Sequence, residues 1–504
     1  MRRVEAACAA IALTIVVTGC GTSAVDRAPP QPDRPWHPMT DDGGGIVPGP
    51  ASTAATNDGY VLPSNRALSE IPPGPPIDRG RVYSLVDLID LAESTNPTTR
   101  IAWNDARRAA LVAGIARSTY LPRLTATVAG AAIDTSSHDS GSNVQASSHG
   151  LISALTLEWL LFDFGERSSL VEAAEQTSVV SNIAFTAAHQ RVIYDVSVAF
   201  YAHAASRAAV IAATHSQQNA AAVQAAAEDR FAHGVGTTVE VAQARQAAAQ
   251  AELARVRANG AASDTYLALL AAVGISPLTQ LDVADVSDRP LPVSSKTVDT
   301  FVTDALSRRP DLLGAYAAQK ASQASLRAAE AEFMPKVFVA ATGAYNSDDL
   351  TLAGIPSVGQ QAATLNVSGN HYVGSVLAGI TVPVYDAGVR AAAVEQAKAG
   401  ADSAQARLDR ARDEAIREVV ASHNALRTSI AAYRASNALA AAAQTTFDAA
   451  LDAYRHGVGT ITDALIAETS LFQATNAVDA AHSTALSAAA ALALATGTLG
   501  AAPQ

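Results

Sequence analysis

At 504 residues the chain has room for several domains, yet it holds two cysteines and a formal net charge of −12. The acidic balance and the lack of any Lys/Arg run exclude nucleic acid as a natural partner. One of the cysteines sits in a leader segment, so the mature chain has no internal disulfide to stabilise it. Alanine makes up about a fifth of the residues; it is the best helix former and lets helices approach closely, which predicts a mainly α protein.

Residues 1–19 read as a signal peptide. Arg2 and Arg3 supply a positive start, and the apolar run Cys8 to Val17 is too short to span a bilayer. The run closes in Val17-Thr18-Gly19-Cys20, which resembles a bacterial lipobox and marks Cys20 as the lipidated first residue of the mature chain. Residues 20–80, with Gly43-Gly44-Gly45 and Pro72-Pro73-Gly74-Pro75-Pro76, have the composition of an extended tether. Beyond the leader no run of some twenty apolar residues occurs, from which no transmembrane helix is expected.

The rest of the chain is written twice. Phe162-Asp-Phe-Gly165 returns as Tyr385-Asp-Ala-Gly388, and His233-Gly-Val-Gly-Thr237 returns as His456-Gly-Val-Gly-Thr460, 386 − 163 and 457 − 234 both being 223. Asn96-Pro97 and Pro122 return as Arg309-Pro310 and Pro335, offset by 310 − 97 = 213. The expected division is a first repeat over 81–275, a linker over 276–296 and a second repeat over 297–500. Two long copies indicate a duplicated fold rather than a solenoid of short repeats.

Each repeat runs in the same order. A short amphipathic helix (Ser84–Thr95; Thr297–Arg308) precedes one that opens at Pro97 or Pro310 and must stop at Pro122 or Pro335. Two β-type runs follow: Leu124–Ile133 with Leu151–Phe162, and Val337–Tyr345 with Tyr372–Tyr385. Each pair reads as a hairpin with a long polar loop (124–162; 337–385), and the extra residues of the second copy fall near 348–369. From Gly165 to His233 and from Gly388 to His456 no proline interrupts the chain, so each stretch predicts one helix reaching roughly 100 Å. In the second, Leu426, Ile430, Tyr433, Asn437, Ala440, Gln444, Phe447, Leu451 and Tyr454 form a heptad seam with two polar interruptions. Return helices over 237–273 and 460–496 follow a turn. The length of each long helix nearly matches two shorter ones stacked end to end.

Two strands per repeat give four per chain, too few to close a barrel, which points to oligomerisation. With Asn96-Pro97, Leu121-Pro122, the two strand-to-helix motifs and the doubled Gly-Val-Gly-Thr, the chain resembles the TolC-like outer-membrane efflux family, lipoprotein (OprM/NodT-like) branch. The resemblance covers roughly residues 84–500. It implies a homotrimer, with a twelve-stranded barrel in outer-membrane lipid and an α-helical tunnel across the periplasm. The implied function is the exit duct of a tripartite system, passively conducting small molecules such as drugs. Its implied partners are a periplasmic adaptor (membrane fusion protein) and an inner-membrane transporter. The alternatives are a TolC-type duct for type I protein secretion and a coiled-coil lipoprotein without a pore. No catalytic motif, metal spacing or cofactor fingerprint occurs, so no enzyme activity, metal or cofactor is expected.

The candidate site residues lie at the ends of the long helices. Gly234 and Gly457 suit a left-handed helix end. Thr237 with Glu240 and Thr460 with Asp463 read as N-caps, the first fitting the capping-box pattern fully. Turn chemistry leaves Val235 and Val458 unexplained. The resemblance assigns adaptor contact to the tips Gly234-Val235-Gly236-Thr237 and Gly457-Val458-Gly459-Thr460. Asp229 and Asp452, a turn before each tip, are candidates for an acidic ring at the periplasmic mouth, with Arg230 and Arg455 as alternative partners. His233 and His456 read as helix-end caps rather than ligands.

Overall fold

Prolines and caps set where each helix begins, and the structure, a computed structural model, shows how those ends meet. It describes residues 80–139, 142–286, 289–291, 296–346 and 372–500, with short pieces between 28 and 78. Cys20, the rest of the leader and the 348–369 segment lie outside the described residues. The chain divides into Met1–Pro76 and Ile77–Gln504. In the first unit β1 (Met39–Thr40) pairs antiparallel with β2 (Ile46–Val47). The intervening turn is held by Asp41 Oδ1, which accepts from the N–H of Gly43 at 3.0 Å and of Gly45 at 2.6 Å.

In the second unit β3 (Val82–Tyr83) leads into α1 (Leu85–Thr95), whose Ser84–Asp87 capping box satisfies donors at its start. Asn96 ends α1 and begins α2 (Pro97–Ser118). Strands β4 (Arg123–Asp139) and β5 (Ser142–Phe162) form a hairpin, followed by α3 (Glu166–Ala232) and α4 (Thr238–Val273). After β6 (Asp282–Val283), which pairs in parallel with β3, the order repeats: α5 (Val298–Arg308), α6 (Pro310–Ala331), β7 (Lys336–Asn346) and β8 (Tyr372–Thr381). The second repeat ends with α7 (Val389–Arg455) and α8 (Ile461–Ala495). Helices α3 and α7 have 67 residues each.

The short helices do stack to match the long ones. At the first joint Asn96 Oδ1 accepts from Thr98 N–H at 2.9 Å while its Nδ2 donates to Ala272 O at 3.0 Å. One side chain thus serves the orphan donors of α2 and the orphan acceptors of α4. The chains meet closely there: a Cβ on Gly274 (φ +83°) would lie 2.9 Å from Asn96 Cα. At the second joint the matched residue is Arg309, which donates to Ala495 O at 3.0 Å and pairs with Asp311 and Glu418. Around the first joint Leu88, Val196, Phe200, Leu269, Leu270 and Val273 form the largest core, each with 1 % exposure or less.

The four long strands make one antiparallel sheet in the order β4-β5-β7-β8. Register sorts its side chains. Leu124, Val128, Leu155, Leu157, Trp159, Val339, Val376 and Ile380 share one face through pairs such as Leu124↔Leu157, Ala126↔Leu155 and Ala341↔Val376. Thr125, Thr127, Thr156, Glu158, Thr342 and Ser375 occupy the other. The apolar face is bare: Val128 is 69 %, Leu155 50 %, Val376 78 % and Ile380 67 % exposed. Paired Tyr345 and Tyr372, with ring centroids 4.9 Å apart, lie at one end of this face and Trp159 toward the other.

Two clamps turn strand into helix. At the first, Phe164 (φ +51°) and Gly165 (φ +104°) are both left-handed; at the second, Ala387 (φ +57°) and Gly388 (φ +89°) are. Asp163 accepts from Arg167 N at 3.0 Å and Nε at 2.8 Å, and the buried guanidinium also donates to the carbonyls of Thr119, Leu160 and Leu161. Asp386 holds Arg390 in the same way, with Nε at 2.6 Å. The aspartate of the repeated motif therefore anchors an arginine that ties up strand-end carbonyls.

Three expectations need correction. The first hairpin has no long loop, since pairing continues from Arg123↔Glu158 to Asp139↔Ser142; a backbone ladder needs no apolar side chains, so polar residues did not mark its end. Strand β8 stops at Thr381 rather than Tyr385, because the backbone of the following residues belongs to the clamp. Asn437 and Gln444 do not interrupt the α7 seam: both face outward, bonded to Tyr433 O and Asp448 at 2.9 Å, and the buried stripe passes through Ala443. Helices α3 and α8 each contain an 18-residue window of mean hydropathy 1.3, a level that a packed core helix also reaches. Alanine supplies that hydropathy, and here it serves close packing of α3 on α8.

Within that packing Val223 of α3 shares a core cluster with a stripe of α8 containing Ala464, Ala467 and Leu471. Glu468 lies in this stripe, 7 % exposed, with Ser216 Oγ donating to it. Burial raises the Glu468 carboxyl above the usual glutamate range, the Ser216 bond opposing. Its protonated form is therefore favoured in the fold, and stability held below the ordinary glutamate value is lost as pH rises through the raised one. Glu468→Gln should raise the unfolding temperature at pH 8 and leave it nearly unchanged at pH 4, as followed by circular dichroism; an equal shift at both would remove the carboxyl as cause.

Candidate functional site

The two helix ends distal to the sheet are built alike. At the end of α3, His233 Nδ1–H donates to Asp229 O at 2.9 Å, and Gly234 takes φ +77°. Val235 and Gly236 N–H both donate to Arg230 O at 3.0 Å, which turns the chain back. At the end of α7, His456 bonds Asp452 O at 2.9 Å, Gly457 takes φ +76°, and Val458 and Gly459 donate to Ala453 O at 3.0 Å.

The two glycines of each tip serve different needs. Gly234 and Gly457 supply the left-handed conformation. Gly236 supplies space: a Cβ there would lie 2.8 Å from Phe231 N, and one on Gly459 would lie 3.2 Å from Tyr454 N. The valines between them have no packing role in this chain. Val235 is 65 % and Val458 84 % exposed.

Thr237 and Thr460 cap the return helices, each accepting from the N–H three residues on at 3.2 Å. The reciprocal half of the capping box forms only at Thr460, where Asp463 accepts from its N–H at 3.2 Å. This reverses the expectation that Thr237–Glu240 completes the box. The Glu240 carboxylate instead accepts from Tyr454 Oη at 3.3 Å. Being longer than aspartate, it reaches across to the other repeat.

That contact is part of a link between the tips. Arg230 Nη1 donates to Tyr454 O at 3.2 Å, Nη2 donates to Val235 O at 3.4 Å, and the guanidinium lies over the Tyr454 ring, 5.0 Å from its centroid. Tyr454 is 1 % exposed and ends a cluster of Phe447, Leu451 and Ile461. Its hydroxyl is pushed above the usual tyrosine range by burial and by the nearby Glu240 carboxylate. None of this link was singled out from the sequence, although a hydroxyl at Tyr454 where the first repeat has Phe231 was a readable difference.

Asp229 and Asp452 are solvated, with side chains 73 % and 72 % exposed. Each faces the histidine one turn on, His233 or His456 Nδ1 at 3.4 Å. Of the two arginines named as alternative partners, Arg230 donates to Tyr454 O and Val235 O instead. The site thus offers exposed valines, paired tips and outward carboxylates, and among the described residues no group of His, Cys, Asp and Glu is placed to hold a metal.

Comparison with known proteins agrees with this architecture. A model of the outer membrane efflux protein family matches residues 88–275 and again 301–498. Protein CyaE of Bordetella pertussis is 27 % identical over 370 residues, covering 72 % of this chain and 73 % of its own. Outer membrane protein OprJ of Pseudomonas aeruginosa is 25 % identical over 352 residues, covering 69 % and 71 %. Among solved structures, the outer membrane protein VceC of Vibrio cholerae shares the fold with a TM-score of 0.68 at 21 % identity, over 82 % of this chain and 96 % of that one. Two matched repeats, a four-stranded sheet with a bare apolar face and paired helical hairpins place this chain in the outer membrane efflux protein family, whose members are TolC-like channels of the outer membrane rather than enzymes.

Proposed function

We propose that three copies of this chain close into a duct that passively conducts small molecules, such as drugs, from the periplasm to the exterior. In this reading Cys20 carries a lipid anchor in the outer membrane. The duct serves as the exit of a tripartite system with a periplasmic adaptor and an inner-membrane transporter.

The observation that carries this reading is the packing mismatch between the repeats. Helix α6 lies between α3 and α7, with Ala324 at 0 % and Ala328 at 4 % exposure. The matched helix α2 rests mainly on α3. Its Ile101, Leu111 and Ile115, which correspond to Gly314, Ala324 and Ala328, are 62 %, 67 % and 68 % exposed. A second chain's α7 would cover α2 as α3 covers α6. Burying each such side chain is worth about 1.5–3 kcal/mol. The sheet supports the same closure. Among the described residues its edges β4 and β8 each pair on one side only, and three four-stranded sheets joined edge to edge would form one closed barrel. Its apolar face, bounded by aromatic residues, has the character of a barrel exterior in lipid, and the Thr/Ser face that of a wet lumen. A coiled-coil spacer without a pore has no use for that face.

At the other end, Val235 and Val458 are proposed to meet the adaptor, and six carboxylates from Asp229 and Asp452 to ring the periplasmic mouth.

Three tests follow. Leu111→Asp with Ile115→Asp should convert detergent-stable trimers to folded monomers by light scattering; trimers that persist would remove the packing template. Val235→Glu with Val458→Glu should abolish drug export while trimers still form, and it is a cleaner test than a change at Gly236, where a Cβ would lie 2.8 Å from Phe231 N. Asp229→Ala with Asp452→Ala should lower cation-over-anion selectivity in planar bilayers, and unchanged reversal potentials would dismiss the ring.

A further inference from the structure

We propose that the inner wall of the barrel carries a station for molecules in transit: an apolar patch around Phe338 beside the Glu158 carboxylate, which fits flat aromatic cations. The inference rests on the trimeric duct proposed above and deepens it by naming a substrate class and the residues that favour it.

The patch arises from a difference between the repeats on the Thr/Ser face of the sheet. In the first repeat Thr125 pairs across the hairpin with Thr156. The offsets place Phe338 (338 − 213 = 125) and Gly379 (379 − 223 = 156) at the same two positions, and these two pair in the second repeat. Two hydroxyl side chains are thus replaced by a ring and a glycine. Phe338 Cζ is 2.8 Å from where a Cβ on Gly379 would sit, so the ring lies down across the neighbouring strand. Leu160 pairs with Phe338 on its other flank. Leu377, 39 % exposed, is two residues from Gly379 on the same face, where the first repeat has Ala154 (377 − 223 = 154). An aromatic ring over a glycine steadies a sheet by itself. That role does not call for Leu160 and Leu377 around the ring, on a face that otherwise presents Thr125, Thr156, Thr342 and Ser375.

Charged rows frame the patch. Lys336, two residues before Phe338, is neutralised by Glu166 at 2.6 Å. On the other side Glu158 stands opposite Arg123 on one strand and Ala340 on the next. Both charged residues are exposed and, among the described residues, neither forms an ion pair. Glu158 lies on the strand adjacent to Phe338 and Arg123 one strand farther, so the uncompensated charge nearer the ring is negative. A flat aromatic cation can stack on the ring with its charge toward that carboxylate. Both contacts face water, which suits brief residence in a duct rather than retention.

Block of single channels of the full-length protein in planar bilayers tests this, with ethidium as the aromatic cation and spermidine as a hydrophilic one. Ethidium should interrupt the current of the unmodified channel. Phe338→Thr with Gly379→Thr writes the first repeat's own pair into the second, a pair this sheet already accommodates. It should weaken ethidium block severalfold and leave spermidine block unchanged, whereas Phe338→Tyr should keep both. Glu158→Gln should weaken ethidium block in the same direction. Ethidium block that survives the double threonine variant, or that falls equally for spermidine, would overturn the station. An unmodified protein that forms no conducting trimer would instead sink the duct reading on which the station rests.

Discussion

A strand edge and an apolar face must each be covered, and one copy of this chain covers neither. Among the described residues β4 and β8 each pair on one side only, and α2 packs mainly on α3 where α6 packs on both α3 and α7. Duplication makes these two deficits the same deficit. Whatever the second repeat finds against the first, the first lacks on its other flank. A unit that presents complementary flanks closes when the rotation between copies divides a full turn, and otherwise grows into a filament. The proposed trimer is the closed solution.

Such a wall also needs helices whose lengths agree at both ends. Each 67-residue helix runs alongside two shorter ones, and the joints between those are where length is set. Asn96 and Arg309 solve the same joint with different chemistry, one by an amide that both donates and accepts, the other by a buried arginine bonded to Ala495 O and paired with two carboxylates. The strand-to-helix bends are set as firmly, by aspartate–arginine clamps over two consecutive left-handed residues. Both devices lie where an error of one residue would throw the sheet out of line with the long helices.

Much of this was legible because it is punctuated. Pro97 and Pro310 start helices, Pro122 and Pro335 follow their ends, and the proline-free stretches between Gly165 and His233 and between Gly388 and His456 are the long helices. Signals that require knowing a partner were not legible. The extent of β4 and β5 depends on backbone pairing, which Thr135, Ser136 and Ser137 neither advertise nor forbid. Heptad spacing placed Asn437 and Gln444 in the seam, whereas the straight helix drifts from a 3.5-residue repeat and buries Ala443 instead. Glu240 fitted the capping-box pattern, but a tyrosine 214 positions away offered its carboxylate another donor.

The tips show why such misreadings cluster near functional surfaces. Local rules built the turns almost identically in both repeats: the same glycines, the same histidine bonds and the same backbone reversal. The repeats diverge in side chains that local rules leave free, because only the neighbour constrains them. Arg230 against Ala453 and Tyr454 against Phe231 are neutral choices for a helix end in isolation. They become consequential once two tips stand side by side. A duplicated chain can therefore keep one turn geometry in both repeats while giving its two tips different side chains to present to their neighbours.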